Sequence, residues 1–239
     1  MRLKIVLFVF IIGLAAVFVS AEQYSDDLFL TYKVDVKKQH LRLFWKDNKG
    51  KRFESIENLK LWTASKNLKL DFAMNAGMYK ADHSPQGLYI EKQKVLSPLD
   101  TLKADGNFYL KPNGVFFITT KKTAVICTTE NFRNNKEIEF ATQSGPMLVI
   151  DGQIHQAFKE GSKNLNIRNG VGILPNGNVV FVLSKKEVNF YDFANYFKTL
   201  GCKNALYLDG FVSRAYLPSQ NWIQTDGNFG ALFAVTRNN

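Results

Sequence analysis

The segment Asn204-Ala-Leu-Tyr-Leu-Asp-Gly-Phe-Val-Ser-Arg214 places a carboxylate directly after a short apolar run. The run from Ala205 to Leu208 predicts a buried strand. Asp209-Gly210 follows it on backbone that can turn sharply. Enzymes often keep a working acid in such a position, but an Asp-Gly pair is more commonly an ordinary turn in which the carboxylate caps its own backbone. These residues alone leave both interpretations open.

A helix is predicted immediately before this strand, from Asn189 to Leu200. Asn189 can cap its start and Gly201 can end it. A second turn signal, Pro175-Asn-Gly, predicts a hairpin that joins strands at Gly170 to Leu174 and Val179 to Leu183. The residues that form the apolar face of the helix are Phe190, Phe193, Ala194, Phe197 and Leu200.

The earlier part of the chain reads mainly as short strands. Leu28 to Val36 and Leu41 to Trp45 are predicted to pair as a hairpin, and Ser55 to Lys66 is predicted to be a helix capped by Ser55. Further strands are predicted at Leu70 to Met74, Gly87 to Glu91, Asn107 to Leu110, Val115 to Thr119, Thr123 to Cys127 and Ile138 to Thr142. Pro112-Asn-Gly is predicted to join two of these in a second hairpin. Many strands without regular β-α-β alternation predict an α+β fold, as a single domain with a few amphipathic helices on a largely antiparallel or mixed sheet.

Residues 1–21 are predicted to be a signal peptide. Arg2 and Lys4 precede the apolar run Ile5 to Val19, and Val19-Ser-Ala21 offers small residues for cleavage. An uncleaved anchor is the alternative, although the run is shorter than the roughly 20 residues that span a bilayer. We therefore expect an exported protein, periplasmic or secreted, with one domain at 22–239 and without stable membrane insertion after cleavage.

Charge and cysteine content restrict the partners. The chain carries a formal charge of +10, which suits an anionic carbohydrate or sugar-phosphate partner. Nucleic acid is not expected, because export is expected and the basic residues are dispersed along the chain.

Cys127 and Cys202 could form one disulfide or remain two buried thiols. Three widely spaced histidines give no zinc signature.

Three other polar segments are candidate parts of a site. Asn75-Ala-Gly77 follows an apolar strand, and its small residues would let a ligand approach the backbone. Ser144-Gly145 lies at another strand end, but the chain has no Gly-x-Ser-x-Gly elbow that would predict a serine hydrolase. Arg168-Asn-Gly-Val-Gly172 is not a dinucleotide loop, because Pro175 stands where the third glycine is needed. Arg168 could instead supply a fork-shaped cation for phosphate.

Taken in order, several motifs resemble the phosphodiester glycosidase family. The resemblance extends from about Leu70 to Val235, and the ordered set is more specific than any single motif. The motifs are Asn75-Ala-Gly-Met78, Ser84-Pro-Gln-Gly-Leu-Tyr-Ile-Glu91, Gly106-Asn-Phe108 with Pro112-Asn-Gly-Val115, Ser144-Gly-Pro-Met-Leu-Val149 with Asp151-Gly152, Arg168-Asn-Gly-Val-Gly172, and Leu208-Asp-Gly210 with Ser213.

The resemblance implies a bacterial exported hydrolase that cleaves a sugar-1-phosphodiester at the anomeric carbon. It implies Asp209 as base or nucleophile, Arg168 as phosphate clamp, and Asn75 and Ser144 as hydrogen-bond donors. Glu91 is the candidate second carboxylate. No cofactor is assigned, and a divalent cation held by Asp209 is an alternative to direct attack. The residues expected to bind substrate are Gly77, Ser144, Gly145, Asn169, Gly210, Ser213 and Arg214.

Two departures from the family pattern bear on specificity. Phe211 and Val212 replace small residues and are expected to narrow or reshape the pocket, and Asn169 replaces a threonine after Arg168. Two other functions remain open on the sequence: a non-catalytic module that binds anionic surface polysaccharide, which the Phe211-Val212 departure favours, and a structural envelope protein.

Overall fold

The computed structural model describes residues 27–239, so the predicted signal peptide lies outside the described residues. This part of the chain contains helices α1 (Ile56–Ala64) and α2 (Phe190–Thr199). Its strands are β1 (Phe29–Val34), β2 (His40–Phe44), β3 (Leu68–Asn75), β4 (Tyr89–Glu91), β5 (Lys94–Ser97), β6 (Gly114–Thr119), β7 (Ala124–Thr128), β8 (Ile138–Ser144), β9 (Met147–Ile150), β10 (Gln153–Ile154), β11 (Asn169–Ile173), β12 (Val179–Ser184), β13 (Ala205–Tyr207), β14 (Ala215–Leu217), β15 (Trp222–Ile223) and β16 (Leu232–Asn238). Three short 3-10 helices lie at Asn107–Tyr109, Gly210–Val212 and Pro218–Gln220.

The strands form three sheets. The first has six strands in the order β1-β12-β11-β13-β9-β10, the second has five in the order β15-β14-β3-β16-β2, and the third has five in the order β5-β4-β8-β6-β7. Within the described residues, the strand pairs in these sheets are antiparallel. The predicted α+β class is confirmed.

One central core joins the three sheets, and it includes Phe181 from the first, Phe233 from the second and Phe116 from the third. These rings pack edge to face or tilted, with centroids 4.9 and 5.4 Å from that of Phe233. Because side chains alternate along a strand, Val180 and Val182 of β12 point the other way and contact the cluster that includes α2. Helix α1 covers the outer face of the second sheet in the same manner.

Both helices begin at the residues that the sequence predicts. The Ser55 hydroxyl accepts a hydrogen bond from Asn58 N, and the Asn189 side chain accepts one from Asp192 N. Each such cap is worth about 1 kcal/mol. Beyond α2, Gly201 adopts φ +81°, which is the left-handed conformation that ends a helix. The strand at Ala205 and the β11–β12 hairpin are likewise confirmed.

Two sequence predictions about hairpins are wrong. β1 does not pair with β2: it pairs with β12, and β2 pairs with β16 in another sheet. Val34 of β1 and Leu41 of β2 are close in sequence, yet they enter the central core from different sheets. Burial of these side chains in the core, and not closeness in sequence, therefore determines which strands pair. The predicted strand at Asn107 is a 3-10 turn, so Pro112-Asn-Gly does not connect a hairpin.

The two cysteines are separate free thiols in this structure. Cys202 is buried beside α2, and burial raises the pKa of its thiol to about 12. A thiol protonated to that extent is a poor nucleophile. Neither α1 nor α2, the helices of the described region, has the length and apolarity needed to cross a membrane.

Candidate active site

Four polar segments from all three sheets meet at one place. Asn75 ends β3, Ser144 ends β8, Asn169 begins β11 and Asp209 follows β13. Asp209 N donates to Ala76 O at 3.3 Å, and Leu208 N donates to Asn169 O at 3.1 Å. The structure therefore brings together segments that are up to 134 residues apart in sequence.

Asn75 is the hub of this arrangement and is 1 % exposed. Its Nδ2 donates to the backbone oxygen of Asp209 at 2.7 Å. Its Oδ1 accepts from Asn169 Nδ2 and from Arg214 N, each at 3.0 Å. Because these atoms are already paired within the protein, the Asn75 side chain holds the Asp209 turn in place.

The Asp209 carboxyl group lies in a partly desolvated position. Burial raises its pKa from 3.8 to about 6, although a hydrogen bond from the backbone N–H of Phe211 acts in the opposite direction. A carboxylate with this pKa is mostly ionised at neutral pH yet holds a proton far better than an exposed aspartate. General bases and nucleophiles in enzymes are commonly tuned in this way.

Two tyrosines flank Asp209. Burial is the main cause that raises the pKa of Tyr79, and the negative charge of Asp209 raises it further while Arg52 opposes. Burial also raises the pKa of Tyr207, with Arg168 opposing and Asp209 adding to the rise. Both hydroxyls therefore stay protonated near the carboxylate and can donate hydrogen bonds.

Three buried polar atoms in this part of the molecule have no hydrogen-bond partner within the described residues. They are Ser144 Oγ, Asn169 Oδ1 and Asn113 Oδ1. Asn169 Nδ2 donates to Asn75, and Asn113 Nδ2 donates to Phe108 O at 2.9 Å, which fixes the orientation of both amides. An unsatisfied buried polar atom costs about 1–3 kcal/mol, so these atoms are candidate hydrogen-bonding partners for a polar ligand.

The glycines at the strand ends allow this close approach. A Cβ on Gly77 would lie 2.6 Å from Gln143 O, directly before Ser144 on β8. A Cβ on Gly145 would lie 2.7 Å from Asn113 Cβ. Both predicted substrate-binding glycines thus lie next to residues that carry unpaired polar atoms, Ser144 and Asn113.

Arg168 lies beneath the site and is 1 % exposed. Its guanidinium group stacks on the Phe190 ring at 3.6 Å and donates to Val188 O, Asn164 O and, at 3.4 Å, the Tyr207 hydroxyl. These partners engage Nε, Nη2 and one N–H of Nη1, and the contact with Tyr207 connects Arg168 to the site. The role of Arg168 as a phosphate clamp stays a prediction.

Arg214 is the more accessible cation near Asp209. Its side chain is 39 % exposed, and Nε pairs with Asp226 at 3.0 Å. The preceding Ser213 donates through Oγ to Gly210 O at 2.9 Å. Gly210, Ser213 and Arg214 therefore form one hydrogen-bonded segment after Asp209, in which Gly210 and Ser213 are buried and the Arg214 side chain reaches solvent.

The structure does not bring Glu91 to Asp209. Glu91 pairs in register with Phe140 on β8, four residues before Ser144, which is about 13 Å along the strand at about 3.3 Å per residue. Its carboxylate accepts from the Tyr89 hydroxyl at 3.2 Å and lies 3.9 Å from Lys92 Nζ.

Sequence reasoning missed Tyr79, Tyr207 and Asn113 as site residues. Tyr207 reads as part of an apolar strand, Asn113 as part of a turn, and Tyr79 lies just beyond the Asn75 motif. Their shared feature is position at a strand end or turn where the three sheets meet, which no local pattern encodes. Across residues 27–239, no cluster of three His, Cys, Asp or Glu side chains is arranged to hold a metal ion.

Comparison with known proteins gives the family. The profile of the phosphodiester glycosidase domain matches residues 69–234. The uncharacterized protein YigE of Escherichia coli K12 is 37 % identical over 187 residues, which are 78 % of this chain and 73 % of YigE.

Solved structures with the same fold include the catalytic domain of zebrafish N-acetylglucosamine-1-phosphodiester alpha-N-acetylglucosaminidase, with TM-score 0.56 and 13 % identity over 87 % of this chain and 88 % of that one. An exported-protein candidate of Burkholderia pseudomallei aligns with TM-score 0.56 and 9 % identity, over 87 % and 73 % of the two chains. The domain match covers the strand ends that meet at Asp209, and from it we conclude that this chain belongs to the phosphodiester glycosidase family.

Proposed function

We propose that this chain is an exported hydrolase that cleaves the bond between the anomeric carbon and the phosphate oxygen of a sugar-1-phosphodiester. The products are a free sugar and a phosphomonoester. The observation that carries the proposal is the Asp209 carboxylate with its raised pKa, set at the meeting point of three sheets. Membership in the family supports the class of reaction.

Asp209 has two possible roles in this reaction. It can take a proton from a water molecule that attacks the anomeric carbon, or it can attack that carbon itself and form an ester that water then hydrolyses. In either route the phosphate oxygen leaves with the bonding electrons. Since a phosphate is a good leaving group, the reaction needs less help from a general acid than ordinary glycoside hydrolysis does.

The surrounding groups suit the two halves of such a substrate. The unpaired atoms of Ser144, Asn169 and Asn113 can exchange hydrogen bonds with sugar hydroxyls. Arg214 pairs with Asp226 through Nε and donates from Nη1 to Ser213 O, and its remaining N–H groups can donate to the phosphate. We assign the sugar to the buried side of Asp209 and the phosphate to the outer side.

The test is a hydrolysis assay on the chain from residue 22 onward, using a panel of sugar-1-phosphodiesters with and without a chelator. We expect release of reducing sugar that falls at least about 10³-fold in Asp209→Asn, with Asp105→Asn as an exposed control that keeps full activity. Near-normal turnover in folded Asp209→Asn would exclude the assigned role. Loss of activity with chelator would favour a metal held by Asp209.

Export is part of the proposal. Its supports are the N-terminal sequence pattern and the structural likeness to the Burkholderia protein. Expression in a bacterium followed by N-terminal sequencing of the periplasmic or secreted form should give a chain that starts at Glu22. Recovery of the uncleaved chain from the membrane would contradict the cleavage step.

A second candidate function is non-catalytic binding of an anionic polysaccharide. A cavity of about 150 Å³ lies away from Asp209, between the β1–β2 turn and the third sheet. Lys37, His40 and Arg42 line it and form no ion pair within the described residues, whereas Lys38 and Lys122 pair with Asp35 and Glu139. Saturable binding of an anionic glycan without turnover of any panel member would favour this function.

A further inference from the structure

The cavity between the β1–β2 turn and the third sheet is a candidate for a second ligand site. Its volume is about 150 Å³, and its buried apolar lining comes from Leu41, Ile118 and Phe140. Phe140 precedes Ser144 by four residues on β8, which is about 13 Å along the strand. The lining residues 36–42 also precede the segment that the family profile matches. The cavity is therefore distinct from the site at Asp209.

The polar lining of this cavity is basic, and none of its lining residues is acidic. Its basic side chains are Lys37, Lys38, His40, Arg42 and Lys122. Two of them are neutralised by neighbours, since Lys38 pairs with Asp35 and Lys122 pairs with Glu139. Within residues 27–239, Lys37 and Arg42 form no ion pair. Because like charges repel one another, these two unpaired cations beside one cavity favour a bound anion.

The backbone that carries these cations is well ordered by hydrogen bonds. Lys38 N and Gln39 N both donate to Asp35 O, at 3.0 and 2.8 Å. Asp35 N donates to Gln39 Oε1, and Gln39 Nε2 donates to the Tyr32 hydroxyl, each at 3.0 Å. Arg42 lies on β2 and pairs in register with Ala234 of β16. A site on such fixed backbone loses little conformational entropy when a ligand binds.

The size of the cavity and the type of its cations indicate a phosphate group. Since a water molecule occupies about 30 Å³ of liquid, the cavity has room for about five water molecules, which is also the number of heavy atoms in a phosphate ion. The guanidinium group of Arg42 can donate two parallel hydrogen bonds to phosphate oxygens, and the Lys37 ammonium can act as a point charge. Two cations match the charge of a phosphate dianion.

We propose that this cavity is a second ligand site, which binds a phosphate group through Arg42 and Lys37. The group can be free phosphate or a phosphate carried by a sugar. Binding here requires neither turnover nor the Asp209 carboxylate, so the site is independent of the proposed hydrolysis. The chain would then hold a phosphorylated ligand at a place where no reaction occurs.

The first test follows the backbone amides by NMR while inorganic phosphate is added, at constant ionic strength, to the chain from residue 22 onward. We expect saturable shifts at residues 36–42 and Lys122, with a dissociation constant of about 1 mM, and the same shifts in Asp209→Asn. A parallel titration with hexose 6-phosphate identifies the source: tighter binding indicates a sugar phosphate, and equal binding indicates free phosphate. Shifts only around Asp209, or shifts that do not saturate, would overturn the proposal.

Paired substitutions distinguish a specific site from the general positive charge of the chain. Lys37→Gln combined with Arg42→Gln should weaken phosphate binding in the cavity at least about tenfold, because both unpaired cations are lost. Lys159→Gln combined with Lys163→Gln removes the same charge at exposed positions and should change the affinity by less than about twofold. Unchanged melting temperatures would confirm that both variants fold. Equal losses of affinity in the two double variants would refute a site in the cavity.

Discussion

Replacing Asp209 by asparagine should make the protein more stable at neutral pH. The side chain keeps its shape, but it no longer carries a charge. Folding raises the pKa of Asp209 from 3.8 to about 6. Each pH unit corresponds to about 1.4 kcal/mol, so the ionised carboxylate destabilises the folded state by about 3 kcal/mol.

The pH window follows from the same two values. Above pH 6 the carboxylate is ionised in both the folded and unfolded chains, so the full destabilisation is present in the wild type. Below pH 3.8 it is protonated in both, and the destabilisation is absent. The benefit of Asp209→Asn should therefore be about 3 kcal/mol at pH 7.5, should shrink as pH falls through 6, and should vanish near pH 3.5.

The assay is thermal and urea unfolding of both proteins at pH 7.5, 5 and 3.5. At pH 7.5 the melting temperature should rise by about 6 to 12 °C, since about 1 kcal/mol corresponds to roughly 2–4 °C in a domain of this size. Asp105→Asn, at an exposed loop position, should change little at any pH. An unchanged or lowered stability of Asp209→Asn at pH 7.5 would show that Asp209 is not desolvated and would refute the reasoning.

Three further predictions concern the site. If Asp209 works as a carboxylate, kcat/KM should fall as the pH is lowered through about 6, because the carboxylate becomes protonated. A flat pH–rate profile between pH 5 and 7 would contradict that role. Ser144→Ala should raise the free energy of unfolding by about 1–3 kcal/mol, because Oγ is buried without a protein partner, yet lower turnover about 10²-fold if the hydroxyl binds the transition state; full activity would refute the ligand assignment. Arg168→Lys should destabilise by about 3 kcal/mol in urea unfolding, because an ammonium group cannot bond Val188 O and Asn164 O together while stacking on Phe190; near-normal stability would mean that these contacts contribute little.

Local sequence patterns were sufficient to predict the features that depend only on neighbouring residues. The cap at Asn189, the turn at Pro175 and the strand before Asp209 all follow from short-range chemistry, and the structure confirms each one. The choice of Asp209 as the central candidate also came from a local feature, a carboxylate directly after an apolar strand. Its role in the reaction stays a prediction.

Features that depend on long-range packing could not be predicted from local sequence patterns. β1 pairs with β12 at the edge of the first sheet, and so it lies in a different sheet from β2. The burial of Arg168 against Phe190 is likewise set by long-range packing, and its role as a phosphate ligand stays a prediction. Glu91 lies in a family-like motif, yet the register of β4 on β8 pairs it with Phe140, four residues along the strand from Ser144.

The hydrogen bonds that centre on Asn75 have a consequence for the timing of folding. They join residues separated by 94, 134 and 139 positions in sequence, so they form only when the first and second sheets have come together. Contacts of such long range are slow to form, because the intervening chain must first be ordered. A partly folded chain in which these two sheets are still apart therefore lacks the hydrogen bonds that hold the Asp209 turn in place.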